Sequence, residues 1–179
     1  MTQIGNVYAQ GLYSLAKEEG LEKSILQELR SLQQALDEAP DFVKILAAPN
    51  LSKQERCGIL DDSFRGKVQP YVLNFMKLLT EKGYMRHFSD CCRAYTRQYN
   101  EDNGILPVTA VTAVAMTEDQ QKRLTQKLSQ VTGKSVELQC RIDPECLGGV
   151  RLDYDGRRVD GTVKNRLESI SNLLQNTVL

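Results

Sequence analysis

Tryptophan is absent from this sequence, and histidine occurs once, as His87. A single imidazole leaves little equipment for proton transfer near neutral pH, where histidine is the side chain that ordinarily titrates. Net charge is missing too, because 23 Lys and Arg balance 23 Asp and Glu. A dedicated nucleic-acid binder needs surplus cations to displace counterions from phosphates, so the balance argues against that class, as does the lack of a basic stripe with interleaved aromatics. No apolar run approaches the roughly 20 residues that a membrane-spanning helix needs. The most apolar stretch, ILPVTAVTAVAM, is short and threonine-studded and reads as a strand. The opening MTQIGNVYAQGLYSLAKEEG has neither the basic start and apolar core of a secretory signal nor the Arg-rich, acid-poor character of an organelle leader. Direct membrane insertion is not expected, and any membrane association would come through partners. Five cysteines, an odd number without a signal peptide, point to reduced thiols packed as small apolar filler.

What remains is ordinary for a soluble globular protein: 41% apolar and 26% charged residues over 179 positions, enough for one large or two small domains. The first hundred or so residues read as helices. Val7, Leu12 and Leu15 are loosely helical in spacing between Ile4 and Lys17, and Gly20 ends that segment. Ile25, Leu29, Leu32 and Leu36 form one apolar stripe, closed by Pro40. A short apolar patch from Phe42 to Leu46 follows. Ser52 and Glu55 have capping-box spacing ahead of Ile59 and Leu60. Pro70 suits the first turn of a helix carrying Val72, Phe75, Met76 and Leu79, with Gly83 as its stop. Phe88, Cys92, Tyr95 and Tyr99 stripe a last helix that ends in Asn100 to Gly104.

After Gly104 the apolar period changes from 3.6 to 2. Val108, Ala110, Thr112, Val114 and Met116 alternate as a strand. Thr117 and Gln120 repeat the capping-box spacing before a helix striped by Leu124, Leu128 and Val131, which Gly133 closes. Val136, Leu138, Cys140 and Ile142 alternate as a second strand. Asp155-Gly156 between RLDY and RRV predicts a hairpin, since both residues tolerate the positive φ of a tight turn. Val163, Leu167, Ile170 and Leu174 stripe a final helix. The expected fold class is α+β, a six-helix bundle over residues 1–104 followed by a small β-α-β-β-β-α domain over 105–179.

Motifs for chemistry fail on inspection. Gly133-Lys134-Ser135 resembles the end of a phosphate loop, but the required earlier glycine is Leu128, and the order is helix then strand. Asp153, Asp155 and Gly156 resemble a calcium loop, but the distal glutamate position holds Thr162. His87 and Cys91 lie four apart with Cys92 alongside, too few ligands for zinc. Cys140 and Cys146 bracket a turn, where a disulfide is not expected in a reducing compartment. No nucleophile has a base and orienter at suggestive spacing. No catalytic residue, metal or cofactor is expected. Pattern alone stops at a soluble two-domain protein.

The stretch CRIDPECLGGVRLDYDGRRVDGTVKNRLESISNLL resembles the signature region of the ATP synthase delta subunit family, which includes the mitochondrial oligomycin-sensitivity-conferring protein. That family shows a strand ending in an acidic residue, a glycine pair, a hairpin and an Asp-Gly-Ser-Val-x-x-Arg-Leu run. The counterparts here are Asp143, Gly148, Gly149, Asp160, Gly161, Thr162, Val163, Arg166 and Leu167. VYAQGLYSLA, LAAPNLSKQER and NFMKLLTEKGYMRHF resemble the family's first helix and two later helix junctions. Thr162 replaces the usual serine and keeps its hydroxyl. Gly11 stands where a small helix former is usual, at about 1 kcal/mol of helix propensity relative to alanine.

The resemblance implies a non-catalytic connector in the peripheral stalk of a proton- or sodium-driven ATP synthase, held through partner subunits on the cytoplasmic face of a bacterial membrane. It implies that the helical domain binds the N-terminal helices of alpha subunits, through a face drawn from Tyr8, Ala9, Leu12 and Tyr13 of the first helix and Asn74, Phe75, Leu78 and Leu79 of the fifth, some of whose apolar members belong to the bundle core instead. It implies that the C-terminal domain binds the C-terminal ends of the b subunits. Gly148, Gly149, Asp160, Gly161 and Thr162 are expected to serve local architecture, with Asp160 or Thr162 capping the final helix, and Arg166 to meet the b subunits. The competing expectation is a helical adaptor unrelated to ATP synthase.

Overall fold

The computed structural model describes residues 3–48 and 51–165. The protein mixes helix and sheet, an α+β fold. It divides into two compact units, Met1–Tyr99 and Asn100–Leu179.

The first unit is built from α1 (Gln3–Glu18), α2 (Glu22–Glu38), α3 (Pro40–Leu46), α4 (Lys53–Phe64), α5 (Pro70–Glu81) and most of α6 (Phe88–Asp102), with a 3-10 turn at Met85–His87 before α6. Punctuation in the sequence sets these ends. The α1 helix stops at Gly20, in the left-handed region at φ 66°, with Leu21 N–H donating to the Ala16 carbonyl at 2.8 Å. The same closure ends α5 at Gly83, where Tyr84 N–H donates to the Leu79 carbonyl at 2.7 Å. Pro40 does more than close α2: it is the first residue of α3, where its missing N–H costs nothing. Ser52 and Glu55 form both bonds of the capping box, at 2.8 and 3.2 Å.

One apolar core joins these helices. The α2 stripe of Ile25, Leu29, Leu32 and Leu36 is buried in full, together with Val72, Met76 and Leu79 of α5 and Cys91, Cys92 and Tyr95 of α6. Burial raises the Cys91 thiol pKa to about 11 and that of Cys92 higher still. The Tyr95 hydroxyl donates to the Glu22 carbonyl at 3.1 Å, and its ring meets Tyr13 edge-on at 5.2 Å. Val7 and Leu15 of α1, expected on the core-facing side, are exposed instead. They flank Gly11 at four-residue spacing on a stripe beside the core residues Ala9, Leu12, Tyr13 and Ala16.

The second unit is built on a four-stranded sheet in the order β2-β1-β3-β4. Its strands are β1 (Ile105–Thr112), β2 (Ser135–Ile142), β3 (Val150–Tyr154) and β4 (Arg157–Asp160). A single helix, α7 (Glu118–Thr132), connects β1 to its parallel neighbour β2. β3 returns antiparallel beside β1 and turns into β4 through Asp155-Gly156, both at positive φ of 46° and 71°. β1 is central and supplies Leu106, Val108, Ala110 and Val111 to the core. It ends at Thr112 and not at Met116, because the Thr112 hydroxyl donates to the Val114 carbonyl at 2.7 Å and turns the chain, leaving Val114 exposed. Val131 of α7, expected on a buried stripe, is 86% exposed. Around the expected change of period, α6 runs to Asp102 and β1 starts at Ile105, leaving Asn103-Gly104 as a turn. Helical backbone resumes at residues 163–165, and the remainder of the expected final helix lies outside the described residues.

Candidate functional site

The α1 and α5 helices frame an apolar groove of about 470 Å³ lined by Val7, Tyr8, Gly11, Leu12, Leu15, Tyr71, Asn74, Phe75 and Leu78. Leu12 and Phe75 are buried and form its floor. Val7, Leu15 and Leu78 project from its walls, 63%, 37% and 41% exposed, so among the described residues the groove offers aliphatic surface. Tyr8 is half-buried and packs edge-on against Tyr84 at 5.8 Å. Asn74 is the polar member of the lining, and it is exposed.

Both walls are braced from behind. Gly5 lets α1 lie against α6, where a Cβ would come 2.8 Å from the Asp90 Cβ. Arg97 of α6 donates to the Asn6 side chain at 3.3 Å. The first turn of α5 is held by Glu28, whose carboxylate accepts from Gln69 N–H at 2.8 Å. Lys77 pairs with Asp61 of α4 at 2.7 Å, and that hydrogen bond holds the Asp61 carboxyl below its ordinary pKa. A groove between two anchored helices is preformed, which limits the ordering cost of binding a third.

Of the eight residues expected at this face, Tyr8, Leu12, Asn74, Phe75 and Leu78 line the groove. Ala9, Tyr13 and Leu79 do not: they sit about 100° further round their helices and are buried in the core, Ala9 and Leu79 completely. They support the walls and offer a partner almost no surface. Val7, Gly11, Leu15 and Tyr71 were not anticipated there. A signal for the α1 members existed, because no residue from Gln3 to Ala16 carries a charge although half the helix faces solvent.

The glycine and Asp-Gly-Thr residues of the second unit come together. Gly149 has φ 79°, and a Cβ there would lie 2.5 Å from the Gly161 carbonyl oxygen, so only glycine fits. The Gly148 carbonyl accepts from Val163 N–H at 3.0 Å, and Gly161 N–H donates to the Val150 carbonyl at 3.1 Å. Asp160 accepts from the Thr162 hydroxyl at 2.7 Å and from Thr162 N–H at 3.0 Å, and these bonds hold its carboxyl below the ordinary pKa. The buried Thr162 hydroxyl in turn accepts from Asn165 N–H at 3.2 Å, the N-cap bond of the helix that starts at Val163. Arg166 and Leu167 lie outside the described residues.

Elsewhere the residues singled out for chemistry have structural partners. His87 lies 3.9 Å from Asp90 and against the Tyr84 ring. Asp153 pairs with Arg158 at 2.8 Å, and Gly133 is the left-handed cap of α7. Among the described residues no three His, Cys, Asp or Glu side chains are grouped to hold a metal, and no helix is long and apolar enough to cross a membrane.

Comparison with known proteins agrees along nearly the whole chain. The profile of the ATP synthase delta (OSCP) subunit family matches residues 4–174. The ATP synthase subunit delta of Clostridioides difficile is 31% identical over 176 residues, 98% of this chain and 97% of that protein. That of Alkaliphilus oremlandii is 30% identical over 171 residues, 96% and 95% of the two chains. A chain in the Toxoplasma gondii mitochondrial ATP synthase hexamer shares the fold with a TM-score of 0.76 at 18% identity, covering 97% of this chain and 98% of that one. The adaptor unrelated to ATP synthase is thereby set aside: this chain belongs to the ATP synthase delta (OSCP) subunit family.

Proposed function

We propose that this protein is a non-catalytic stator subunit of a proton- or sodium-driven ATP synthase, joining the catalytic headpiece to the peripheral stalk. The observation that carries the proposal is the braced apolar groove of α1 and α5 in a chain that matches the family from residue 4 to residue 174. The six N-terminal helices act as one bundle, residues 1–104, that receives the amphipathic N-terminal helix of an alpha subunit. Such a helix binds by laying its apolar face into a groove. The second domain, residues 105–179, binds the C-terminal ends of the b subunits, with Arg166 as a contact to an acidic tail. The protein is thereby held on the cytoplasmic face of the cell membrane through its partners.

The mechanism is mechanical. Rotation driven by ion flow drags the headpiece round unless a stator holds it, so both interfaces must stay closed under torque. A preformed groove serves this well, because little binding energy is lost to ordering the receptor. The test is affinity capture of the tagged chain from membranes of its own host. Alpha and b subunits should co-purify, and charged substitution at Leu78 should release alpha while retaining b. Capture of neither subunit would contradict the proposal.

A further inference from the structure

Gly11 stands mid-way along α1, in a position where glycine is a poor helix former. The packing of the described residues gives no reason for it. Its φ is not among the positive values, and a Cβ built on it would meet nothing within 4 Å. Gly5 on the same helix differs, since it is required by the approach of Asp90. The space left at Gly11 opens into the groove, between Val7 and Leu15 one turn to either side, with Asn74 in the facing wall.

We propose that Gly11 is a specificity-determining residue of the groove: the notch left by its missing side chain receives one bulky apolar side chain of the docked helix. This rests on the docking of an alpha-subunit N-terminal helix proposed above. The notch is bordered by aliphatic side chains that carry no charge, so an aliphatic or aromatic side chain would lose no hydrogen bonds on entering, whereas a charged one would. With no Cβ at position 11, the guest backbone can also approach α1 more closely than it could at alanine. The helix propensity given up at Gly11 is then the cost of shaping the site, one of the ways a binding surface departs from the most stable sequence.

The test titrates a synthetic peptide of the alpha subunit's N-terminal helix into the full-length parent, Gly11→Ala, Gly11→Leu, Leu78→Asp and, as a control, Gly58→Ala. Gly58 lies within α4, and a Cβ there would also meet nothing. Both alanine variants should melt higher than the parent. Only Gly11→Ala should also lose affinity, by about threefold to tenfold, and Gly11→Leu should lose about tenfold or more while keeping its helical circular dichroism. Leu78→Asp should abolish binding. If Leu78→Asp abolishes binding while Gly11→Ala and Gly11→Leu both bind like the parent, the role of Gly11 is overturned and the groove stands. Parent-like affinity in every variant would overturn both.

Discussion

At the scale of single residues, the Asp160-Gly161-Thr162 run behaves as a folding device. Thr162 is buried and caps the helix that starts at Val163, so Thr162→Ala should lower the unfolding free energy of the whole chain by about 1 kcal/mol, as measured in urea. Gly149→Ala should cost more than ~1 kcal/mol, because it combines a left-handed φ with a backbone clash at the Gly161 oxygen. Asp160 gives a pH signature. Its folded pKa is depressed, first by the Thr162 hydroxyl and then by Thr162 N–H. The stability it contributes is therefore present above the unfolded aspartate value near ~3.9 and is lost as pH falls through the lower folded value. Asp160→Asn, which keeps an acceptor but cannot titrate, should flatten the acid limb of a stability-versus-pH curve, leaving the parts due to Glu55, Asp61 and Asp153, whose carboxyls are depressed too. An unchanged acid limb would show that the Thr162 bonds do not form in solution. The thiols supply a separate check. Exposed Cys140 should alkylate first and half-buried Cys57 next, while Cys91, Cys92 and Cys146 should react only on unfolding, as mass spectrometry of quenched samples would show.

At the scale of elements, local chemistry decided what could be read in advance. Element ends were legible wherever a side chain or glycine fixes the backbone directly: the helix ends at Ser52 with Glu55, Thr117 with Gln120, Gly20, Gly83 and Gly133, and the β3–β4 hairpin at Asp155-Gly156. The α2 stripe was legible because four leucine-sized residues leave only one face to bury. The faces of α1 were not. Val7 and Leu15 satisfy a helical period as well as Leu12 does, and period alone cannot tell a core stripe from an apolar groove wall one row away. The same ambiguity left Ala9, Tyr13 and Leu79 among the candidates for the groove face, whereas they are buried in the core. The end of β1 was misjudged because the alternation continues to Met116, while a side-chain bond from Thr112 to the backbone ends the pairing sooner. Ser52→Ala should cost about 1 kcal/mol, read from the urea midpoint, since it removes the hydroxyl that accepts from Glu55 N–H while leaving the Ser52 N–H bond to the Glu55 carboxylate in place.

At the scale of the whole molecule, the chain divides into two compact units, and each carries its own apolar centre. Among the described residues the buried members of the helical core run from Ala9 to Tyr95, so a fragment of residues 1–104 should fold alone and melt cooperatively; a fragment without helical signal would show that its core is incomplete. The central claim is that a partner helix lies in the α1–α5 groove. Its most direct test is an amide chemical-shift map of the isotope-labelled full-length chain, titrated with the alpha subunit's N-terminal peptide. The largest shifts should cluster on Val7, Gly11, Leu15, Tyr71, Asn74 and Leu78. Shifts confined to residues 105–165, or none at saturating peptide, would contradict the claim.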